Sequence, residues 1–172
     1  LFCSEDFTAA TTALLEPRAT FEPWQPTTTA IANGEGFSLS GTKSMVPLGI
    51  DAELVLVIAH MENGDAAAFI IEGTPAGMTR TAEDNMGLHG ARLATLTLDN
   101  VQLPASARLG EGPFDLQRFI DLSRIGICAL TVGTCQAVLD YVKTYCNERV
   151  AFGEPITNRQ SVAFMIADIA IE

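Results

Sequence analysis

The sequence predicts an α+β chain: an antiparallel β sandwich or barrel-like domain over residues 1–110, then, over 111–172, long helices of an incomplete helical bundle. Three observations carry this. Short runs rich in β-branched residues alternate with Gly and Pro turns in the first part. Apolar residues take up a helical spacing after Glu111-Gly112-Pro113. A second helical segment opens near Gln160, after a short turn at 152–156.

The strands follow in order. TTTAIA (27–32) and GFSLSG (36–41) flank Asn33-Gly34, a pair that favours a tight hairpin. ELVLVIAHM (53–61) is a continuous apolar run, which suits a strand covered on both faces. AAAFIIEG (66–73) follows it across Glu62-Asn63-Gly64-Asp65, a second hairpin signal. LATLTLDNVQLP (93–104) alternates weakly and ends at a proline. Beyond Pro113, which suits a first helical position, apolar residues such as Leu116, Phe119, Ile120, Ile127, Leu130 and Val138 recur at helical spacing, up to Tyr145. Gly126 and Gly133 lie seven apart on one face and suit close helix packing. A helix this long needs partners, so apolar helical surface should be exposed in this chain. It begins without Met and ends inside a helical pattern, which predicts a piece of a longer protein.

Apolar residues make up 48% of the 172, enough for a substantial core. The net charge of −11 argues against nucleic acid and against an anionic membrane surface, since both need clustered Lys and Arg. No continuous apolar run is long enough to span a bilayer. The four cysteines, Cys3, Cys128, Cys135 and Cys146, form no CxxC pair and have no His cluster nearby. They read as buried free thiols in a reducing compartment, expected to be the bacterial cytoplasm. No metal site is expected. His60 ends a strand and His89 sits in the Gly-rich turn MGLHG (86–90). The acidic run 83–85 and Arg92 read as solvated surface.

No phosphate loop, nucleophile elbow or HExxH motif is present. One long pattern is: Y-x-x-x-R-x-x-F-G-x-P-I-x-x-x-Q-x-V, from Tyr145 through Arg149, Phe152 and Gln160 to Val162. It resembles the C-terminal domain of the acyl-CoA dehydrogenase family. ALLEP (13–17), GFSLSGTK (36–43), the stretch 84–104 and DLSR (121–124) resemble further segments of that family. The resemblance implies the family's middle β domain at 1–110 and the start of its C-terminal α-helical domain at 111–172.

It also implies roles. Arg149 would reach the pyrophosphate of an FAD bound by a neighbouring subunit, where a guanidinium pairs with phosphate oxygens. Phe152 would pack near that cofactor, and Gln160 would donate from the next helix. From spacing alone Arg149 equally suits a helix C-terminus, where a cation is favourable. Met45 and Pro47 occupy the positions that flank the flavin ring. Asp121 and Arg124 would contact substrate, Arg124 toward the coenzyme A portion; otherwise they form a surface i,i+3 pair.

The implied reaction is α,β-dehydrogenation of an acyl-CoA thioester with FAD, electrons passing to an electron-transfer flavoprotein. A homo- or hetero-oligomer, dimer or tetramer, is implied too. No residue of this chain is expected to be the catalytic base. The family alternative on the first long helix falls on Ser123, which has no basicity near neutral pH.

Two departures matter. Glu16-Pro17 is followed by Arg18-Ala19-Thr20-Phe21-Glu22 where the family carries glycines, and Met45-Val46-Pro47-Leu48 replaces a Trp-Ile-Thr-Asn run. They leave open a catalytically silent subunit that binds ligand or serves assembly, as in divergent bacterial members. A flavin monooxygenase or oxidase on the same fold is a third reading.

Overall fold

The computed structural model describes residues 7–87 and 89–171. Cys3, and Leu88 of the 86–90 turn, lie outside the described residues. The chain forms two compact units, one running to Leu116 and the other beginning at Gln117.

The first unit is a curled seven-stranded sheet, a half barrel. Its strands are β1 (Ala10–Ala13), β2 (Thr29–Asn33), β3 (Gly36–Val46), β4 (Leu54–Met61), β5 (Ala66–Glu72), β6 (Met78–Ala82) and β7 (Ala94–Pro104). They pair in the order β1-β4-β2-β3-β7-β6, with β5 on the other side of β4. The hairpins expected at Asn33-Gly34 and at 62–65 both form, with Asn33 opposite Gly36 and His60 opposite Ala66.

The sheet is mixed rather than wholly antiparallel. β1 runs parallel to β4, Ala10 to Ala13 against Leu54 to Val57, and β2 meets the far end of β4 in parallel at Thr29–His60 and Ala30–Met61. β4 thus bonds β1 and β2 along one side and β5 along the other. That central position is why its sequence is continuously apolar, with Val55, Val57, Ile58 and Ala59 all fully buried.

The weak alternation of β7 has a local cause. Ala94, Leu96 and Leu98 point into the core, then the phase shifts and Val101 and Leu103 do so. The shift is a bulge: Leu39 faces Val101 but Gly41 faces Leu98, and Asn100 takes a left-handed φ of 52°. Gly41, on the opposite strand, has φ 154°. A Cβ there would lie 2.7 Å from Thr28 Cα, so only glycine lets β2 approach. The core joins Leu39, Phe69, Ile71, Leu96, Val101 and their neighbours, with Phe37 edge-on to Phe69.

The second unit is α1 (Leu116–Glu148, which starts one residue before the division), a small hairpin of β8 (Val150–Ala151) and β9 (Glu154–Pro155), and α2 (Gln160–Ile171). The expected exposure of apolar helix is present: Leu122, Ile125, Ile127, Leu130, Val132 and Tyr141 all face solvent. Among the described residues, nothing outside the helix's own backbone lies within 4 Å of a Cβ built at Gly126 or Gly133. By length and composition α1 could cross a bilayer. Thr131, Thr134 and Gln136 interrupt it, which is why no continuous apolar run stands out in the sequence. The cysteine reading needs correction: Cys146 is buried, but Cys128 and Cys135 are exposed free thiols, because nothing among the described residues covers their stretch of α1.

Candidate functional site

In the β unit the sequence buries a charge pair. Glu16 follows β1 and precedes Pro17, and Lys43 occupies an inward position of β3. Their side chains are 4% and 0% exposed, and Lys43 Nζ lies 2.9 Å from Glu16 Oε1. Burying an ion is costly unless its hydrogen bonds are made elsewhere. Here they are made. The Glu16 carboxylate accepts from the Thr27 amide (2.7 Å) and hydroxyl (2.5 Å) and from the Thr28 amide (2.9 Å) and hydroxyl (2.7 Å). Lys43 also donates to the Leu14 carbonyl at 3.3 Å. Burial opposes ionisation of Glu16. The hydrogen bonds from the Thr27 hydroxyl, from Lys43 and from the two amides outweigh it and hold the carboxyl down at about 2. Burial likewise pushes Lys43 below its ordinary value, against the pull of Glu16. The pair ties the segment after β1, the start of β2 and the middle of β3 into one knot.

Beyond Lys43 the chain turns sharply, with Met45 and Leu48 both at φ 52°. Three contacts hold the turn. The Met45 amide donates to Glu83 Oε1 at 2.8 Å, the Leu48 amide to the Ala91 carbonyl at 2.8 Å, and the Thr11 hydroxyl to the Pro47 carbonyl at 2.5 Å. Met45 and Pro47 keep their side chains exposed. The expectation that 83–85 is solvated surface fails for Glu83. It is half-buried and accepts from the Thr95 hydroxyl at 2.6 Å as well as from Met45, because a chain turning out of β3 leaves an amide that needs an acceptor. Arg92 is exposed and pairs with Asp51 at 3.0 Å.

The segment 18–22 closes on itself. Arg18 bonds the Gln25 carbonyl at 2.6 Å and reaches Glu16 at 3.3 Å and Glu22 at 3.5 Å.

In the helical unit, Asp121 and Arg124 form the i,i+3 contact at 3.5 Å, with Gln117 donating to Asp121 at 2.9 Å. Ser123 spends its hydroxyl on the Phe119 carbonyl, 2.8 Å away. Arg149 lies at the other end of α1. At 1.5 Å per residue, the 25 positions from Arg124 amount to about 38 Å. The structure therefore does not bring these two sets together.

Arg149 and Phe152 belong to one hairpin, and Gln160 opens the helix that follows it. The Arg149 carbonyl accepts from Ile156 at 3.0 Å, which closes the β8–β9 hairpin, and α2 begins at Gln160 soon after. Phe152 and Gly153, the two loop residues, have φ 57° and 87°, the pair of positive angles that a tight hairpin turn requires. Phe152 is 92% exposed, and the Arg159 guanidinium sits 4.7 Å from its ring centroid. Among the described residues the Arg149 guanidinium has no hydrogen-bond or ion-pair partner, and it is exposed. Arg149 offers an exposed guanidinium and Phe152, three residues on, an exposed aromatic, and such a pair of side chains suits an anionic, ring-bearing cofactor.

Sequence reasoning gave no role to Glu16, Lys43, Glu83 or Arg159. A lysine at an inward strand position was the available signal for the first pair. Glu83 had none, since its partner Met45 is 38 residues away.

Comparison with known proteins adds the following. Residues 11–101 match the middle domain of acyl-CoA dehydrogenases, and residues 110–172 match their C-terminal domain. The chain is 33% identical over 167 residues to the mitochondrial short-chain specific acyl-CoA dehydrogenase of Bos taurus, covering 92% of this chain and 40% of that protein. The structure of butyryl-CoA dehydrogenase from Megasphaera elsdenii superposes with a TM-score of 0.84 at 30% identity, over 94% of this chain and 45% of that one. A glutaryl-CoA dehydrogenase from Mycobacterium smegmatis, solved in complex with FADH2, superposes with a TM-score of 0.85 at 25% identity, over 94% of this chain and 42% of that one. The chain thus spans less than half the length of these relatives.

Proposed function

The chain belongs to the acyl-CoA dehydrogenase family, a family of oxidoreductases, and on that premise we propose that it supplies cofactor- and substrate-binding walls of an FAD-dependent enzyme that desaturates an acyl-CoA thioester. The observation that carries this is the segment from Arg149 through Phe152 to Gln160, where the Arg149 guanidinium is exposed with no partner among the described residues and Phe152 is exposed. Bound FAD would supply the acceptor for the hydride that leaves the β carbon.

The residues of this chain bind and orient. Arg149 pairs with phosphate oxygens, and Gln160 donates beside it at the start of α2. Met45 and Pro47 offer an apolar edge to a flat ring. Arg124 stands about 38 Å and Asp121 about 42 Å from Arg149 along α1, and Arg124 meets the anionic part of coenzyme A. A separation of that size favours a neighbouring subunit as the owner of the cofactor that Arg149 reaches, hence an oligomer. The α-proton goes to a base other than Ser123, whose hydroxyl has no basicity near neutral pH and donates to the Phe119 carbonyl. An electron-transfer flavoprotein is the proposed electron-accepting partner of the enzyme.

One observation favours a second reading, the silent subunit. Where glycines would admit a ligand, Arg18 bonds Glu16, Glu22 and Gln25 and closes the segment. One experiment separates the two. The full-length protein is purified, its flavin content is measured, and an acyl-CoA is added without oxygen. Stoichiometric FAD that bleaches supports the enzyme; FAD that stays oxidised, or no FAD, supports the silent subunit.

A further inference from the structure

We propose that Glu83 is a positioning residue for the cofactor: it fixes the turn 45–48 in the one conformation that presents Met45 and Pro47 outward. The proposal rests on the reading that this turn borders FAD. The turn holds two non-glycine residues at φ 52°, Met45 and Leu48. Such backbone persists only where surroundings over-determine it. Of the contacts that do so, the one to Met45 itself comes from a side chain, Glu83 Oε1 at 2.8 Å.

Glu83 is itself held. Its amide donates to the Leu93 carbonyl at 2.9 Å, and its Oε1 accepts the Thr95 hydroxyl at 2.6 Å. The same oxygen therefore links β7, through Thr95, to the amide of a residue that is 53% exposed. A solvated loop needs no such anchor. Without it, the Met45 amide loses its acceptor and the residue is free to return to an ordinary φ, which swings its side chain away.

The test uses the full-length protein and reads FAD dissociation constants by flavin fluorescence, with the unfolding midpoint of the apoprotein alongside. Glu83→Ala should weaken FAD about tenfold, the worth of one charge-assisted hydrogen bond. Glu83→Gln, which keeps an acceptor oxygen, should stay within about threefold of the parent. A double-mutant cycle identifies the route: Met45→Ala should weaken FAD in the parent and add nothing in the Glu83→Ala background. A merely structural Glu83 would leave that cycle additive. If Glu83→Ala does not fold, Thr95→Val releases the carboxylate more gently and should weaken FAD about threefold. FAD bound by the parent and equally well by every variant overturns the proposal alone, as does an additive cycle. A parent protein without FAD affinity overturns the underlying reading, and this proposal with it.

Discussion

Lys43 Nζ sits 2.9 Å from Glu16 Oε1 with both side chains withdrawn from solvent, and this ion pair joins three separate segments of the β unit. Removing Glu16 leaves the buried Lys43 without its carboxylate, whereas removing Lys43 leaves Glu16 with Arg18 at 3.3 Å and its hydrogen bonds from Thr27 and Thr28. Glu16→Gln should therefore cost about 3–5 kcal/mol of unfolding free energy, and Lys43→Met less. The double variant Lys43→Met with Glu16→Gln should cost clearly less than its two single changes combined. Chemical denaturation of all four proteins gives the coupling directly.

The same pair sets an acid limit. Glu16 titrates at about 2 in the fold against an ordinary 4.5. A depressed carboxyl contributes stability that is complete above its unfolded value and is lost as pH falls through its folded value. The loss should run from about pH 4.5 down to about pH 2, and amount to a few kcal/mol. In Glu16→Gln that share of the pH dependence should vanish, which unfolding midpoints at pH 6, 4 and 3, chosen as roughly spaced points across the window, would reveal.

Gly41 should tolerate no side chain. Its φ of 154° and the approach of Thr28 Cα to 2.7 Å from a built Cβ place alanine against backbone. Gly41→Ala should destabilise the β unit by about 2 kcal/mol or more, and it should disturb the Thr28 bonds to Glu16. Gly34→Ala, where nothing lies within 4 Å, should cost less.

Phe152 carries a conformational cost at φ 57° while the residue stays 92% exposed. Relieving that conformation costs only the contact with Arg159, worth about 0.5–1 kcal/mol. Phe152→Gly should accordingly leave the unfolding midpoint unchanged or slightly raised, since a left-handed residue costs about 1–2 kcal/mol. FAD retention should nonetheless fall. Equal retention would show that the ring has no ligand to meet.

Local patterns carried most of the fold. The hairpins at Asn33-Gly34 and at 62–65, the buried run of β4 and the helical period after Pro113 are all short-range signals, and each appears in the structure. What escaped is non-local. β1 and β6 are short edge strands of mostly small or polar residues, and the parallel pairings of β4 join segments 44 and 31 residues apart. The bulge at Asn100 broke the alternation of β7, and its partner across the sheet, Ser40, is 60 positions away. The site divides in the same way. Arg149, Phe152 and Gln160 fall within twelve consecutive residues and could be read together. Glu83 acts on Met45 and Glu16 on Lys43 across the sheet, so neither role could be seen until the strands were placed.

The central claim is that the turn after α1 binds the cofactor, and the flavin content of Arg149→Ala in the full-length protein tests it most directly. Arg149 is exposed and has no partner among the described residues, so its loss should leave the unfolding midpoint of the apoprotein in place. The flavin-to-protein ratio should drop, and FAD affinity should weaken about tenfold or more, with Arg149→Lys recovering only part of it. An Arg149→Ala protein that retains FAD at the parent's ratio and affinity would contradict the account.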